Sequence, residues 1–376
     1  MRSASKIPAT PRVLVITMRR LGDVLLTTPL VRALRQGLPG ARVDMLVFRG
    51  SEQILAGNPD IERVIAVPPR PPLAVMARLL RQIWRQYDVA ISTQTGDRPT
   101  FLAGIAGRFR VGLVDAGGSA WKRWLLSRTV VVDANMHRID NLLRLTAALG
   151  INERPDIVLP AAAPAPAPRG PYAVVHVKPM HKVKQWTDAG WQALAAGLME
   201  RGFTVVATGS DAPDERAYLD RIWTPVGSAV ERMDGKLNWG ELVTLLKGAA
   251  VYVGPDTSIS HLAAAAGCPT VTIYGPTSPH MVGPWPVGGL NTPWARAGTI
   301  QNRGNVWVVQ NPLPCMPCDR LGCDNHLQSR SQCLDELPAR QVLLAVDQAL
   351  GRVAATPSGL AAGPAGGDKL PLTLRG

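Results

Sequence analysis

Nine residues, V-G-P-D-T-S-I-S-H at Val253–His261, place a glycine, a proline and a run of polar side chains between two apolar stretches. The stretch before them (Ala249–Val253) reads as a strand and the stretch after (His261–Ala266) as a small apolar helix. A turn of that kind aims free backbone N–H groups and the positive end of a helix dipole at one point, and that point suits a phosphate. Asp256, Thr257, Ser258 and Ser260 would add polar side chains beside it. Asp, Ser and Thr are also the usual helix-capping residues, so the motif by itself fits a plain N-cap equally well. A second cluster points the same way: His176, Lys178, His181, Lys182 and Lys184 share one loop after an apolar run, and such clustering of cations suits a polyanion. In the first half, Arg19 and Arg20 precede Gly22-Asp23, where the glycine suits a tight turn close to a substrate. Thr95, Asp97 and Arg98 follow another strand, at the edge where parallel sheets bind ligands.

The elements needed to position these groups recur along the chain. Arg12–Thr17, Arg42–Phe48, Ile61–Val67 and Asp88–Ser92 are short apolar runs, as in buried parallel strands, with helical patterns through Gln36 and over Leu73–Gln86 between them. Ala161–Pro171 is a proline-alanine linker, unsuited to helix or sheet. The pattern then restarts with strands at Tyr172–Val177, Phe203–Thr208, Ala249–Val253 and Thr270–Tyr274, and helices at Trp186–Arg201, Glu241–Gly248 and Leu337–Leu350. The expected fold class is α/β, with two Rossmann-like doubly wound domains facing across a cleft. The expected limits are 1–165, 166–353, and a disordered Gly/Pro/Ala-rich tail at 354–376.

The chain has 376 residues and a formal net charge of +13. Residues 1–165 hold 23 Lys and Arg against 12 Asp and Glu, a net of +11, so the excess sits in the first half. Such a half-protein expects an anionic partner: nucleic acid, an acidic membrane surface or a phosphorylated substrate. Apolar runs are too short to span a bilayer, the basic start lacks the apolar core of a secretory signal, and five cysteines fit a reducing compartment, so a cytoplasmic location is expected.

Three stretches together resemble one family. Gly22–Arg35 (G-D-V-L-L-T-T-P-L-V-R-A-L-R), His176–Trp186, ending in Lys-x-Trp, and Gly254–Thr277 are similar, in order and spacing, to signatures of the bacterial heptosyltransferases, glycosyltransferase family 9. Leu46–Ile61, Thr95–Arg98 and the cysteine-bearing end look most like the heptosyltransferase III type. The resemblance implies a GT-B fold and inverting transfer of heptose from ADP-L-glycero-D-manno-heptose to the lipopolysaccharide inner core. It implies an acceptor-binding N-terminal domain, an ADP-sugar-binding C-terminal domain and no required cofactor. Asp23 would be the general base, with a helix cap as its plain structural role. Lys184 would neutralise donor phosphate, and Asp256, Thr257, Ser258 and Ile259 would bind the donor. His261 would hold that loop, and Glu215 would reach the donor ribose or sugar. Ser258 departs from the glycine that many relatives carry. Gly22, Arg19, Thr95, Asp97 and Arg98 would meet the acceptor, a phosphorylated lipid A-core molecule at the anionic inner leaflet, making the protein peripheral on the inner face of the inner membrane.

Cys315, Cys318, Cys323 and Cys333 form C-x2-C-x4-C-x9-C, a candidate structural zinc site, although the family chemistry requires no metal. A nucleic-acid-binding protein is disfavoured because the positive charge is dispersed and no recognition motif is present. A dehydrogenase is disfavoured because G-x-G-x-x-G is missing after the first strand.

Overall fold

The computed structural model describes residues 7–353. The tail expected at 354–376 lies outside the described residues. The first half comprises β1 (Arg12–Thr17), α1 (Leu21–Leu25), α2 (Thr28–Gly37), β2 (Arg42–Phe48), β3 (Arg63–Val67), α3 (Leu73–Ile83), β4 (Tyr87–Ser92), α4 (Asp97–Ala106), β5 (Gly107–Val114), α5 (Ala120–Leu125), β6 (Arg128–Val131) and α6 (Arg138–Ala147). Its sheet has the order β3-β2-β1-β4-β5-β6 with every pairing parallel. Val13 to Ile16 are wholly buried, because helices cover both faces of the central strand.

The second half comprises β7 (Tyr172–His176), α7 (Asp188–Glu200), β8 (Thr204–Thr208), α8 (Pro213–Trp223), β9 (Val230–Arg232), α9 (Trp239–Gly248), β10 (Val251–Pro255), α10 (Ser258–Ala265), β11 (Thr270–Ile273), α11 (Pro279–Val282), β12 (Ile300–Arg303), β13 (Val306–Val309), α12 (Gln332–Asp335) and α13 (Ala339–Ala349). Its sheet runs β12-β13-β11-β10-β7-β8-β9, parallel except for the edge hairpin β12–β13. That hairpin departs from an all-parallel expectation. Its turn holds Gly304 at φ 55°, a left-handed conformation that glycine adopts without strain. Both sheets have the doubly wound Rossmann-like form, and the chain passes between them through the irregular segment 150–171.

Local chemistry explains two departures from the expected elements. The helix expected to run through Gln36 is broken into α1 and α2 at Leu26-Thr27, where Pro29 near the start of α2 fits a first helical turn. The helix expected from His261 begins earlier, at Ser258, so the polar residues of the nonapeptide form its first turn. Gly254 of β10 is there because the backbone runs close to its neighbours. A β-carbon on it would stand 2.1 Å from the Tyr252 hydroxyl and 3.1 Å from the His176 carbonyl oxygen.

The halves touch directly. α1 packs against α10. His137 Nε2 lies 2.9 Å from the Gly283 carbonyl oxygen, its ring meets Trp285 at a tilt with centroids 4.8 Å apart, and His280 Nε2 lies 2.9 Å from the Asn135 carbonyl oxygen. Among the described residues, no helix is long and apolar enough to cross a membrane.

Candidate active site

A cleft of about 1240 Å³ lies between the halves, lined by the carboxyl-end loops of β1, β2, β7, β8 and β10. This is where a doubly wound sheet leaves room for a ligand. Arg19, Gly22 and Asp23 line it from one side, and Lys184, Glu215, Asp256, Thr257, Ser258, Ile259 and His261 from the other.

Asp23 is not a helix cap. Arg20 holds the N-cap position of α1, and Asp23 is the third helical residue. Its carboxylate is 21% exposed and faces two guanidinium groups: Arg138 Nε at 2.8 Å and Arg19 Nη1 at 3.6 Å from Oδ1. The Arg138 contact is an ion pair by distance, with an angle outside hydrogen-bond geometry. Burial pushes the Arg138 pKa down, and the charge of Asp23 pulls it back up. A buried cation of this kind holds the carboxylate in one place, as a general base requires. Nothing in the sequence flagged Arg138. It opens α6, distant from Asp23 in the chain, and only the fold brings the two together.

Gly22 is not in a tight turn, as the sequence suggested, but in the first turn of α1. A β-carbon there would stand 3.6 Å from Ser258 Cα and from His261 Cδ2. The residue therefore marks where α1 meets the N-terminus of α10, placing Asp23 beside the phosphate-type turn.

Thr257 is the N-cap of α10 but makes no side-chain capping hydrogen bond. The first N–H groups of that helix are left without a side-chain cap, and Thr257, Ser258 and Ile259 line the cleft, an arrangement that suits an anion. Ser260, also in the turn, is committed to structure: it is buried and bonds the Pro255 carbonyl and the Tyr252 hydroxyl. Lys184 ends a short 3-10 turn and forms an ion pair with Asp256, whose side chain is nearly buried. The lysine is thus carried to the mouth of α10. Ile259 gives the cleft an apolar wall, and it is nearly buried.

His261 is buried against Gly22, with Nδ1 lacking a hydrogen-bond partner. Burial pushes its pKa down, Lys184 adds to that, and Asp256 and Asp23 oppose it. His176 is pushed down by burial, against the pull of Glu215, and His137 falls to about 3, again through burial. These rings are neutral in the fold but titrate near 6.5 when unfolded. The unfolded chain therefore binds more protons once the pH drops below about 6.5, and stability falls from there toward the depressed folded values. Urea midpoints measured from pH 8 to pH 5 should be flat above about 7 and decline below about 6.5. A His137→Gln variant should show a shallower decline. An unchanged slope in that variant would remove His137 from the account.

Glu215 accepts from the Ser210 backbone N–H at 3.0 Å and its hydroxyl at 2.6 Å, so it fastens the loop after β8 at the cleft wall. Thr95, Asp97 and Arg98 do not line the cleft with Asp23. The Thr95 carbonyl accepts from Lys122 Nζ at 2.6 Å, Asp97 pairs with Lys122 at 2.7 Å, and Arg98 donates to the Pro69 carbonyl at 2.7 Å. They brace the outer rim of the first half.

The four cysteines of the candidate zinc pattern lie near one another, since Cys318, Cys323 and Cys315 each add to the upward push that burial gives the Cys333 thiol. Among the described residues, no three His, Cys, Asp or Glu side chains are placed to hold a metal. Cys333 packs into the core of the second half, where burial lifts its thiol to about 12, while Cys315 and Cys323 are exposed. Cys323 Sγ instead accepts the Gln332 backbone N–H at 3.3 Å.

Two facing Rossmann-like sheets, with a carboxylate on one wall of the cleft and an uncapped helix N-terminus on the other, form the GT-B architecture, which glycosyltransferases share with other proteins. The sequence profile of glycosyltransferase family 9 (heptosyltransferase) matches residues 76–289, and the chain belongs to that family. Lipopolysaccharide heptosyltransferase 1 of Pseudomonas aeruginosa is 28% identical over 352 residues, covering 88% of this chain and 93% of that protein. Lipopolysaccharide heptosyltransferase 3 of Escherichia coli K12 is 24% identical, covering 71% and 83%. The E. coli heptosyltransferase WaaC, solved with ADP, shares the fold at a TM-score of 0.68 and 23% identity, covering 90% of this chain and 99% of that one. Relatives of types 1, 2 and 3 match at similar identities, so the type III likeness is not singled out.

Proposed function

We propose that this enzyme transfers heptose from ADP-L-glycero-D-manno-heptose to a hydroxyl of the lipopolysaccharide inner core, with inversion at the anomeric carbon. The observation that carries this reading is the meeting of Asp23, on α1, with the uncapped start of α10 and Lys184 across one cleft. A diphosphate seated on the first turn of α10 would receive hydrogen bonds from backbone N–H groups, mostly at Ser258 and Ile259. Lys184 would exchange part of its pairing with Asp256 for the phosphate oxygens, and would stabilise the charge that builds on departing ADP. Asp23 would take the proton of the acceptor hydroxyl as its oxygen attacks the face opposite the leaving group. Arg138 and Arg19 hold that carboxylate in place. Glu215 would meet the sugar or ribose from the β8 side.

In this reading residues 1–165 bind the acceptor, residues 166–353 bind the donor, and the reaction requires no cofactor. The acceptor is a phosphorylated lipid A-core molecule. The net +11 of the first half suits that polyanion and a peripheral position on the cytoplasmic face of the inner membrane. No nucleic-acid partner enters the account.

Calorimetric titration with ADP-heptose, UDP-glucose and NADH in parallel tests the donor. Selective binding of ADP-heptose is the expected result. Equal affinity for UDP-glucose, or none for ADP-heptose, would overturn the donor assignment.

A further inference from the structure

One rim of the first half stands outside the core and, Pro69 apart, outside the cleft. β3, β4 and β5 are parallel, so the segments that follow them emerge on one edge of the sheet: Pro68–Leu73, Thr95–Phe101 and 115–125. The helices they open, α3, α4 and α5, lie side by side, with α4 between the other two. This rim carries apolar side chains that the fold leaves in water: Leu73 is 90% exposed, Phe101 52%, Trp121 40% and Trp124 85%. Trp124 is bare although Leu125 beside it packs on Gly104 of α4. Asp97 pairs with Lys122, and Gly104 meets Leu125, so Phe101 lies on α4 between the two points where α5 is pinned.

The charge around these side chains is one-sided. Residues 68–128 hold ten Lys and Arg against three Asp, a net of +7. Arg70, Arg78, Arg98 and Arg123 are exposed among the apolar groups. Of the three aspartates, Asp97 is paired with Lys122 and Asp88 lies 3.9 Å from Arg108. The order Trp-Lys-Arg-Trp at Trp121–Trp124 puts two amphipathic rings around two cations. Trp side chains favour the boundary between water and hydrocarbon, and neighbouring Lys and Arg add attraction to anionic headgroups.

We propose that the α3–α4–α5 rim is the surface by which this protein docks on an anionic phospholipid bilayer, with Trp121 and Trp124 as its anchors. The rim is continuous with the cleft. Pro69 lines the cleft, and its carbonyl holds the guanidinium of Arg98 on the rim. A bilayer seated here would meet the acceptor side of the cleft, so a lipid-borne acceptor would reach Asp23 without leaving the membrane. This last consequence rests on the proposed transfer reaction, whereas the docking itself does not.

Co-sedimentation with vesicles tests it, using the full chain without donor or acceptor. Vesicles of phosphatidylethanolamine with about 30% phosphatidylglycerol supply the anionic surface, and pure phosphatidylcholine vesicles are the control. The wild type should bind the anionic vesicles at low salt and leave them at high salt, with little binding to phosphatidylcholine. Trp121→Ala/Trp124→Ala should lower the vesicle partition coefficient by about tenfold or more, with an unchanged thermal midpoint. Trp84→Ala, at the far end of α3 and 59% exposed, should bind as the wild type does. Full binding by the double variant, equal loss with Trp84→Ala, or binding indifferent to anionic lipid would each overturn the proposal. So would a wild-type dimer that the double variant dissolves, with no vesicle binding. Transfer to a soluble, deacylated core by a protein that ignores vesicles would sink the docking surface alone. Vesicle binding by a protein that transfers no heptose would sink the reaction and leave the surface standing.

Discussion

Replacing Asp23 with Asn should lower kcat by about 10²–10⁴-fold and leave ADP-heptose binding nearly unchanged. The amide is close in shape to the carboxylate, so α1 should keep its packing on α10, and the donor should still find the first turn of that helix. What is lost is the acceptor for the hydroxyl proton. Arg138 makes the substitution informative. It lies 2.8 Å from Asp23 Oδ1, is mostly buried, and in the variant faces a neutral group. A buried cation deprived of its counter-charge is destabilising, so the thermal midpoint should drop together with kcat. Arg138→Lys separates the two effects: it keeps a positive charge but loses the fixed guanidinium plane. Its kcat should fall less than that of Asp23→Asn. Its donor affinity should stay near that of the wild type while kcat falls, a split that a purely structural role for Arg138 would not produce. Single-turnover rates beside donor titrations provide the check. An Asp23→Asn enzyme with wild-type turnover would remove the base from the mechanism.

The second large effect belongs to Lys184. Lys184→Ala should reduce kcat/KM for the donor by about 10²–10³-fold, because the lysine acts on charge that grows as ADP departs. The ion pair with Asp256 complicates this variant, since that carboxylate side chain is only 8% exposed. Left unpartnered, it should cost about 1–3 kcal/mol of stability, allowing for the partial exposure of the lysine. Adding Asp256→Asn should recover much of that stability without restoring activity. Recovery of both would mean that Lys184 serves only to neutralise Asp256.

The strands were legible in the sequence for a plain reason. Parallel strands covered on both faces are short uninterrupted apolar runs, and Arg12–Thr17 and Arg42–Phe48 coincide with β1 and β2. The restart after the proline-alanine segment was legible in the same way, and it anticipated the second sheet. Helix boundaries were less so. The start of α10 was placed at His261 because Ser258, Ile259 and Ser260 do not read as helix. The two serines belong to a first turn that has no side-chain cap. β9 and β12 are too short and polar to show a period.

The donor side of the site is local in the chain and so could be found. Lys184, Asp256, Thr257, Ser258 and His261 lie on loops and a turn whose composition announces an anion. Asp23 emerged through a resemblance, since one carboxylate after a strand has no signature of its own. Arg138 and Lys122 were missed. Each acts by meeting an aspartate brought near by tertiary packing, and no periodicity encodes such a pair. Thr95, Asp97 and Arg98 were singled out correctly as lying at the carboxyl edge of the sheet. The edge is wide, however, and they stand on its outer rim, tied to Lys122 and Pro69.

The most direct test of the central claim is the transfer itself. Purified protein would be incubated with ADP-heptose and a heptose-deficient lipopolysaccharide core, and the product read by mass spectrometry and by the anomeric coupling in its NMR spectrum. The account predicts one added heptose, joined with inverted anomeric configuration, released ADP in equal amount, and product from Asp23→Asn formed about 10²–10⁴-fold more slowly. A retained configuration, or transfer that persists undiminished in Asp23→Asn, would contradict it.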